Sequence, residues 1–169
     1  MARITRISRI LVPTDFSPTA DAALEYAFVL AERFGASLQL LHVLEDPFVV
    51  DGMAADAYIA EAPALRTAVL DDARERLRHR AAPREVMGKP IDTEVLFGHG
   101  ARTIAEYAVE RGVDLIVMGT HGRTGFAHLL LGSVAERLVR TAPCPVLTVR
   151  HPEERKRAPV SYDVERLPA

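Results

Sequence analysis

The chain has 169 residues, enough for one domain with one core, of which folding removes roughly 70% of the surface the unfolded chain would expose. With 49% apolar residues and 21 basic against 23 acidic ones, the formal net charge is only −2, so composition supplies no general pull toward nucleic acid or an anionic membrane. The single cysteine, Cys144, excludes an internal disulfide and a cysteine-rich zinc site, and no segment approaches the ~20 apolar residues of a membrane span, so a cytoplasmic protein is expected.

Arg9 to Pro13 is a short apolar run closed by proline and followed by Asp15, which reads as a buried strand leaving a sheet at its carboxyl end. A helix follows, with Ser17 as its cap, Pro18 in its first turn, Ala20, Leu24, Ala27 and Ala31 on its apolar face, and Gly35 as its stop. Leu38 to Leu44 is a second strand. Glu45 to Pro63 is long for a connection and too apolar for a solvated loop, so it is either a short helical insert or a flap. Ala64 to about Ala81 predicts a helix with Leu65, Ala68, Val69, Ala73 and Leu77 on its apolar face and Pro83 beyond its end. Ile91 to Phe97 alternates as a half-buried or edge strand, and a helix runs from Ala101 to Gly112. Asp114 to Met118 is the most hydrophobic strand, Ser133 to Arg140 the last helix, and Cys144 to Arg150 a strand whose prolines favour a sheet edge. From His151 the chain is polar and charged, and a flexible tail over 151–169 is expected beside a domain over 1–150.

Strands alternating with helices imply a parallel sheet covered on both faces and joined by right-handed crossovers. Such sheets bind ligands at the carboxyl ends of strands where the winding direction reverses. If the first strand is central and the fourth lies beside it, Asp15 and Gly119 meet at that reversal.

The stretch from Met118 to Leu138 places Gly119, Gly122, Gly125 and Gly132 between a buried strand and a helix. Gly132-Ser133 followed by Glu136 has the spacing of a capping box. A helix N-terminus presents unpaired N–H groups and the positive end of the dipole, so it stabilises a phosphate without a lysine. Gly119 and Gly122 let the backbone approach such a ligand or take positive φ, and Ser133 adds a hydroxyl. The other reading of the same spacing is a long surface turn with a serine that only caps its helix.

Several alternatives fail on residue type. Gly88-Lys89 is followed by Pro90 and makes no P-loop, while Gly98 to Thr103 (GHGART) lacks the third glycine of a dinucleotide fingerprint and reads as an ordinary helix entry. No pair among the 6 histidines has zinc-ligand spacing, and no G-x-S-x-G surrounds Ser133. Asp15 suggests a phospho-accepting aspartate, but the neighbouring acids and late lysine of such a site are missing; its other reading is a cap on the adjoining turn.

Together, Val12-Pro13-Thr14-Asp15 and Gly119-x2-Gly122-x9-Gly132-Ser133 resemble the universal stress protein family, whose ATP-binding members carry G-x2-G-x9-G-[ST]. The resemblance extends from about Arg9 to Arg150 and implies a Rossmann-like three-layer α/β sandwich with a five-stranded parallel sheet of order 3-2-1-4-5. It implies an adenine nucleotide, ATP or a relative, with the base and ribose near Pro13, Thr14, Asp15 and the backbone of Val43. Phosphates are implied against Met118, Gly119 and Gly122 and the helix entry at Gly132, Ser133 and Val134, with Mg2+ held largely by phosphate and water. Arg123 either neutralises phosphate charge or is solvated. The resemblance further implies a homodimer paired through the fifth strand, Val146 to Val149, and a stress-response binding module, the alternative being a slow ATP hydrolase or phosphotransferase whose general base would be Asp15 or His121.

Overall fold

The computed structural model describes residues 6–45, 62–86, 88–120 and 131–151. Strands β1 (Arg9–Pro13), β2 (Ser37–Leu44), β5 (Asp92–Phe97), β6 (Leu115–Gly119) and β7 (Val146–Val149) form one sheet in the order β5-β2-β1-β6-β7, with all four pairings parallel. Counted among themselves, these strands follow the expected order 3-2-1-4-5. The extra numbers belong to a feature the sequence reading missed, a separate antiparallel ribbon of β3 (Glu85–Val86) and β4 (Lys89–Pro90) around Gly88, which takes φ 70°. Two-residue strands leave no hydrophobic period to read.

Helix α1 (Pro18–Phe34) begins and ends as its sequence requires. The Ser17 hydroxyl accepts a hydrogen bond from the Ala20 N–H at 3.2 Å, and Gly35 closes the helix at φ 63°, ψ 34°. Helix α2 (Ala62–Ala81) packs mainly through its second half: Ala73, Leu77 and Ala81 are buried, whereas Leu65 and Val69, expected on the same face, are 49% and 39% exposed. Arg80 Nε reaches Asp21 Oδ1 at 2.7 Å and Arg84 pairs with Glu25, so the end of α2 is docked onto α1. Helices α3 (Gly100–Glu110) and α4 (Ser133–Thr141) complete the order.

The alternation of a pleated strand divides the core in two. Ile10 and Val12 of β1, with Leu38, Leu40 and Val117, face Ala23, Leu24 and Ala27 of α1 and Ala73 and Leu77 of α2. Leu11, Leu41, Ile116 and Met118 face Ile104, Tyr107 and Ala108 of α3 and Ala135 and Leu138 of α4. Each buried Val, Leu, Ile or Met side chain among these contributes about 1.5–3 kcal/mol, and both layers pin the strand ends between them. Among the described residues no helix is long and apolar enough to cross a membrane. Most of the connection after β2 (46–61), His121, Gly122, Arg123 and Gly125 of the glycine-rich segment, and 152–169 lie outside the described residues.

Candidate functional site

A cleft of about 470 Å³ opens over the carboxyl ends of β1, β2 and β6, where the strand order reverses. Pro13, Thr14 and Asp15 reach it from β1, Val43 and Leu44 from β2, Met118 and Gly119 from β6, and Gly132, Ser133 and Val134 from the entry of α4. All the candidate residues that are described therefore line one cavity; Gly122 and Arg123 lie outside the described residues. Gly100 and Ile104 of α3 also line it, and neither was singled out by its sequence context.

The segment leaving β1 is tied at every residue. The Thr14 N–H donates to the Leu41 carbonyl at 2.8 Å, the Phe16 N–H to Thr14 Oγ1 at 3.0 Å, and the Ser17 N–H to Asp15 Oδ1 at 3.1 Å. Asp15 thus holds the turn, one of the two roles its position allowed, while its carboxylate remains only partly buried at the cleft. Phe16 adopts φ 66°, a left-handed conformation that costs about 1–3 kcal/mol for a residue with a bulky side chain. Its ring is held by His42, centroids 4.3 Å apart, and by the guanidinium of Arg76 4.0 Å from its centre. His42 also lines the cleft, is 5% exposed, and places Nδ1 2.6 Å from the Thr14 carbonyl oxygen. The available signal for His42 was a polar ring interrupting the apolar strand LQLLHVL.

At the entry of α4 the expected capping box is absent. Gly132 takes the extended cap position (φ −71°, ψ 157°), so Ser133 is already helical, one residue too late for its hydroxyl to cap, and among the described residues no side chain caps the helix. The Glu136 carboxylate pairs with Arg140 at 2.9 Å instead of reaching back. The first turn of α4 consequently offers uncapped N–H groups and the positive end of its dipole to the cleft, an arrangement that can hold an anion. This entry is fastened to the sheet: the Gly132 N–H donates to the Thr120 carbonyl at 2.7 Å, and the Thr120 N–H to the Val149 carbonyl at 2.9 Å.

Gly119 has a packing role that its sequence did not suggest. It does not take positive φ, and a Cβ there would lie 2.9 Å from Thr19 Cγ2 and 3.1–3.2 Å from the backbone of Thr19 and Ala20. Its missing side chain admits the first turn of α1 against the end of β6, although its backbone still borders the cleft. A second depression of about 470 Å³ runs beside β7 and shares Thr120 with the cleft. Tyr26, Leu131, Leu147 and Arg150 border it, but no helix entry opens onto it.

Residues 6–150 match the sequence model described as the Universal stress protein family. Universal stress protein MJ0531 of Methanocaldococcus jannaschii is 37% identical over 147 residues, spanning 86% of this chain and 84% of that protein. Among solved structures, universal stress protein UspA from Lactobacillus plantarum is 32% identical with a TM-score of 0.70, covering 86% of this chain and 99% of that one. The structure of M. jannaschii MJ0577, solved for structure-based assignment of biochemical function, is 28% identical with a TM-score of 0.75 and coverages of 86% and 97%.

Proposed function

The chain belongs to the universal stress protein family, and from that premise we propose that it is an adenine-nucleotide-binding regulatory module that works as a homodimer. The observation that carries this reading is the uncapped entry of α4 opening into the same cleft as Asp15 and Val43. The adenine and ribose sit against Pro13, Thr14, Asp15 and the backbone of Val43. The phosphates sit against Met118 and Gly119 and the Gly132-Ser133-Val134 turn, where backbone N–H groups and the helix dipole replace a lysine. Gly122 and Arg123 contribute from the segment between β6 and α4, completing the G-x2-G-x9-G-[ST] signature of ATP-binding members. Mg2+ enters with ATP and is held by phosphate oxygens and water. This fits a chain in which, among the described residues, no group of three or more His, Cys, Asp or Glu could cage an ion. Binding rather than hydrolysis is favoured because Asp15 already has a structural use, accepting the Ser17 N–H at Oδ1 to hold the turn.

The homodimer forms through β7, which is an edge strand of the sheet among the described residues. The reading is tested by calorimetry with ATP, ADP, AMP and cAMP, with and without Mg2+. Binding of at least one of them, weakened in Gly122→Val and Gly132→Val variants that still fold, is expected. Unchanged affinity in both variants would overturn the phosphate placement, and phosphate release abolished by Gly122→Val would replace the binding module with a hydrolase.

A further inference from the structure

Beside the proposed nucleotide contacts stands a buried residue with no part in that reading. His42 lies on β2, 5% exposed, and contacts the loop leaving β1 twice. Its Nδ1 is 2.6 Å from the Thr14 carbonyl oxygen; because a carbonyl only accepts, Nδ1 carries the hydrogen. Its ring lies against Phe16, with centroids 4.3 Å apart and planes tilted by 39°. Thr14 and Phe16 flank Asp15, so one imidazole grips the residue on each side of the carboxylate that borders the cleft.

We propose that His42 is a positioning residue for the ligand site: it fixes the Thr14–Asp15 peptide and holds Phe16 in its left-handed conformation, thereby setting where Asp15 stands. The inference rests on the adenine-nucleotide reading of the cleft, since Asp15 is there the partner of the ribose. A non-glycine residue persists at φ 66° only where its surroundings over-determine it. The ring of Phe16 is held by His42 together with Arg76, 4.0 Å from its centre, and Arg80, 4.9 Å away. The backbone is held by the Phe16 N–H bond to Thr14 Oγ1 and by His42 on the Thr14 carbonyl. His42 holds the carbonyl before Asp15 as well as the ring, whereas Arg80 joins its ring contact to the Phe16 carbonyl beyond Asp15, with Nη2 3.4 Å from the oxygen. Without its N–H, the Thr14 carbonyl loses a buried donor, and the peptide plane before Asp15 is less firmly fixed. The carboxylate then samples orientations that do not meet the ligand, and affinity falls although no ligand-touching group has changed.

Two variants separate the grips. His42→Phe keeps an aromatic ring for Phe16 but has no donor; His42→Asn keeps a donor, its Nδ2 close to the place of Nδ1, but has no ring. Affinity for the tightest-binding adenine nucleotide is measured by calorimetry, alongside the melting temperature and amide exchange at Phe16 and Ser17. The expected result is an affinity loss of about tenfold in His42→Phe and recovery to within about threefold in His42→Asn, scaled to one buried hydrogen bond. Amide exchange at Phe16 and Ser17 is expected to be faster in His42→Phe than in His42→Asn, whatever the order of melting temperatures. Affinity that tracks the melting temperature, or His42→Phe binding within about twofold of wild type, would overturn the role. Wild-type protein that binds no adenine nucleotide removes the nucleotide reading and this role together, whereas wild-type binding with unaltered His42→Phe affinity removes this role alone.

Discussion

The hydrogen that Gly119 carries in place of a side chain occupies space the first turn of α1 has already claimed, with Thr19 Cγ2 2.9 Å from where a methyl would go. Gly119→Ala is therefore expected to destabilise the fold by about 1–3 kcal/mol, because two packed backbones must separate to admit the methyl. Urea unfolding measures this, and a cost below about 0.5 kcal/mol would show the contact to be soft. Nothing in the sequence separated this role from ligand approach, since both ask for a glycine at a strand end. The left-handed Phe16 was equally illegible: its conformation is imposed by His42 on β2 and Arg76 on α2, both far away in the chain. Tyr107 gives a pH prediction. Burial is the largest cause holding its phenol above the ordinary tyrosine range, with the Arg111 charge opposing and nearby carboxylates adding. In the unfolded chain the phenol ionises first, so Tyr107 contributes stability that is present below about pH 10 and lost as the pH rises through its raised folded value. Comparing urea unfolding at mildly and strongly alkaline pH should show a decline that Tyr107→Phe reduces.

Helix α4 carries the clearest prediction among the elements. Gly132 sits at an ordinary cap geometry that any residue can take, so Gly132→Asp can supply the missing cap. It should raise stability by about 0.3–1 kcal/mol through the dipole and the newly capped N–H groups while weakening nucleotide binding, because the carboxylate claims the donors meant for phosphate. Thermal melts and calorimetry on the same sample should move in opposite directions; joint improvement would place the anion elsewhere. Helix α2 depends on its C-terminal half, and Arg80→Ala should cost about 1 kcal/mol in a thermal melt through the lost Asp21 pair and Phe16 contact. The elements were legible where local chemistry decides them: Ser17 and Gly35 bound α1 as their residue types demand. They were less so where tertiary packing decides, as in the exposed Leu65 and Val69 on the expected apolar face of α2. The helix entry at 132–133 was found, but its cap was assigned one residue late, since spacing cannot tell a capping serine from a helical one.

For the molecule as a whole, the nearly all-apolar first, second and fourth strands, the alternating third and the fifth that begins among prolines sort centre from edge, while the full strand order rested on the family resemblance. At the β7 edge, Leu147 is 39% exposed. If that edge pairs two copies, Leu147→Lys should shift the protein toward monomer in light scattering, and a wild-type monomer at micromolar concentration would reject the dimer. One further consequence follows from the bond between the Gly132 N–H and the Thr120 carbonyl at 2.7 Å. The chain departs from the sheet at Thr120 and returns to the same point at Gly132, so the two ends of the stretch between them are fixed against each other. Ends held at one point make the length between them a small term in stability, since doubling a loop costs only about 0.6 kcal/mol. The sheet and the entry of α4 are thus joined directly to each other, whatever length of chain runs between them.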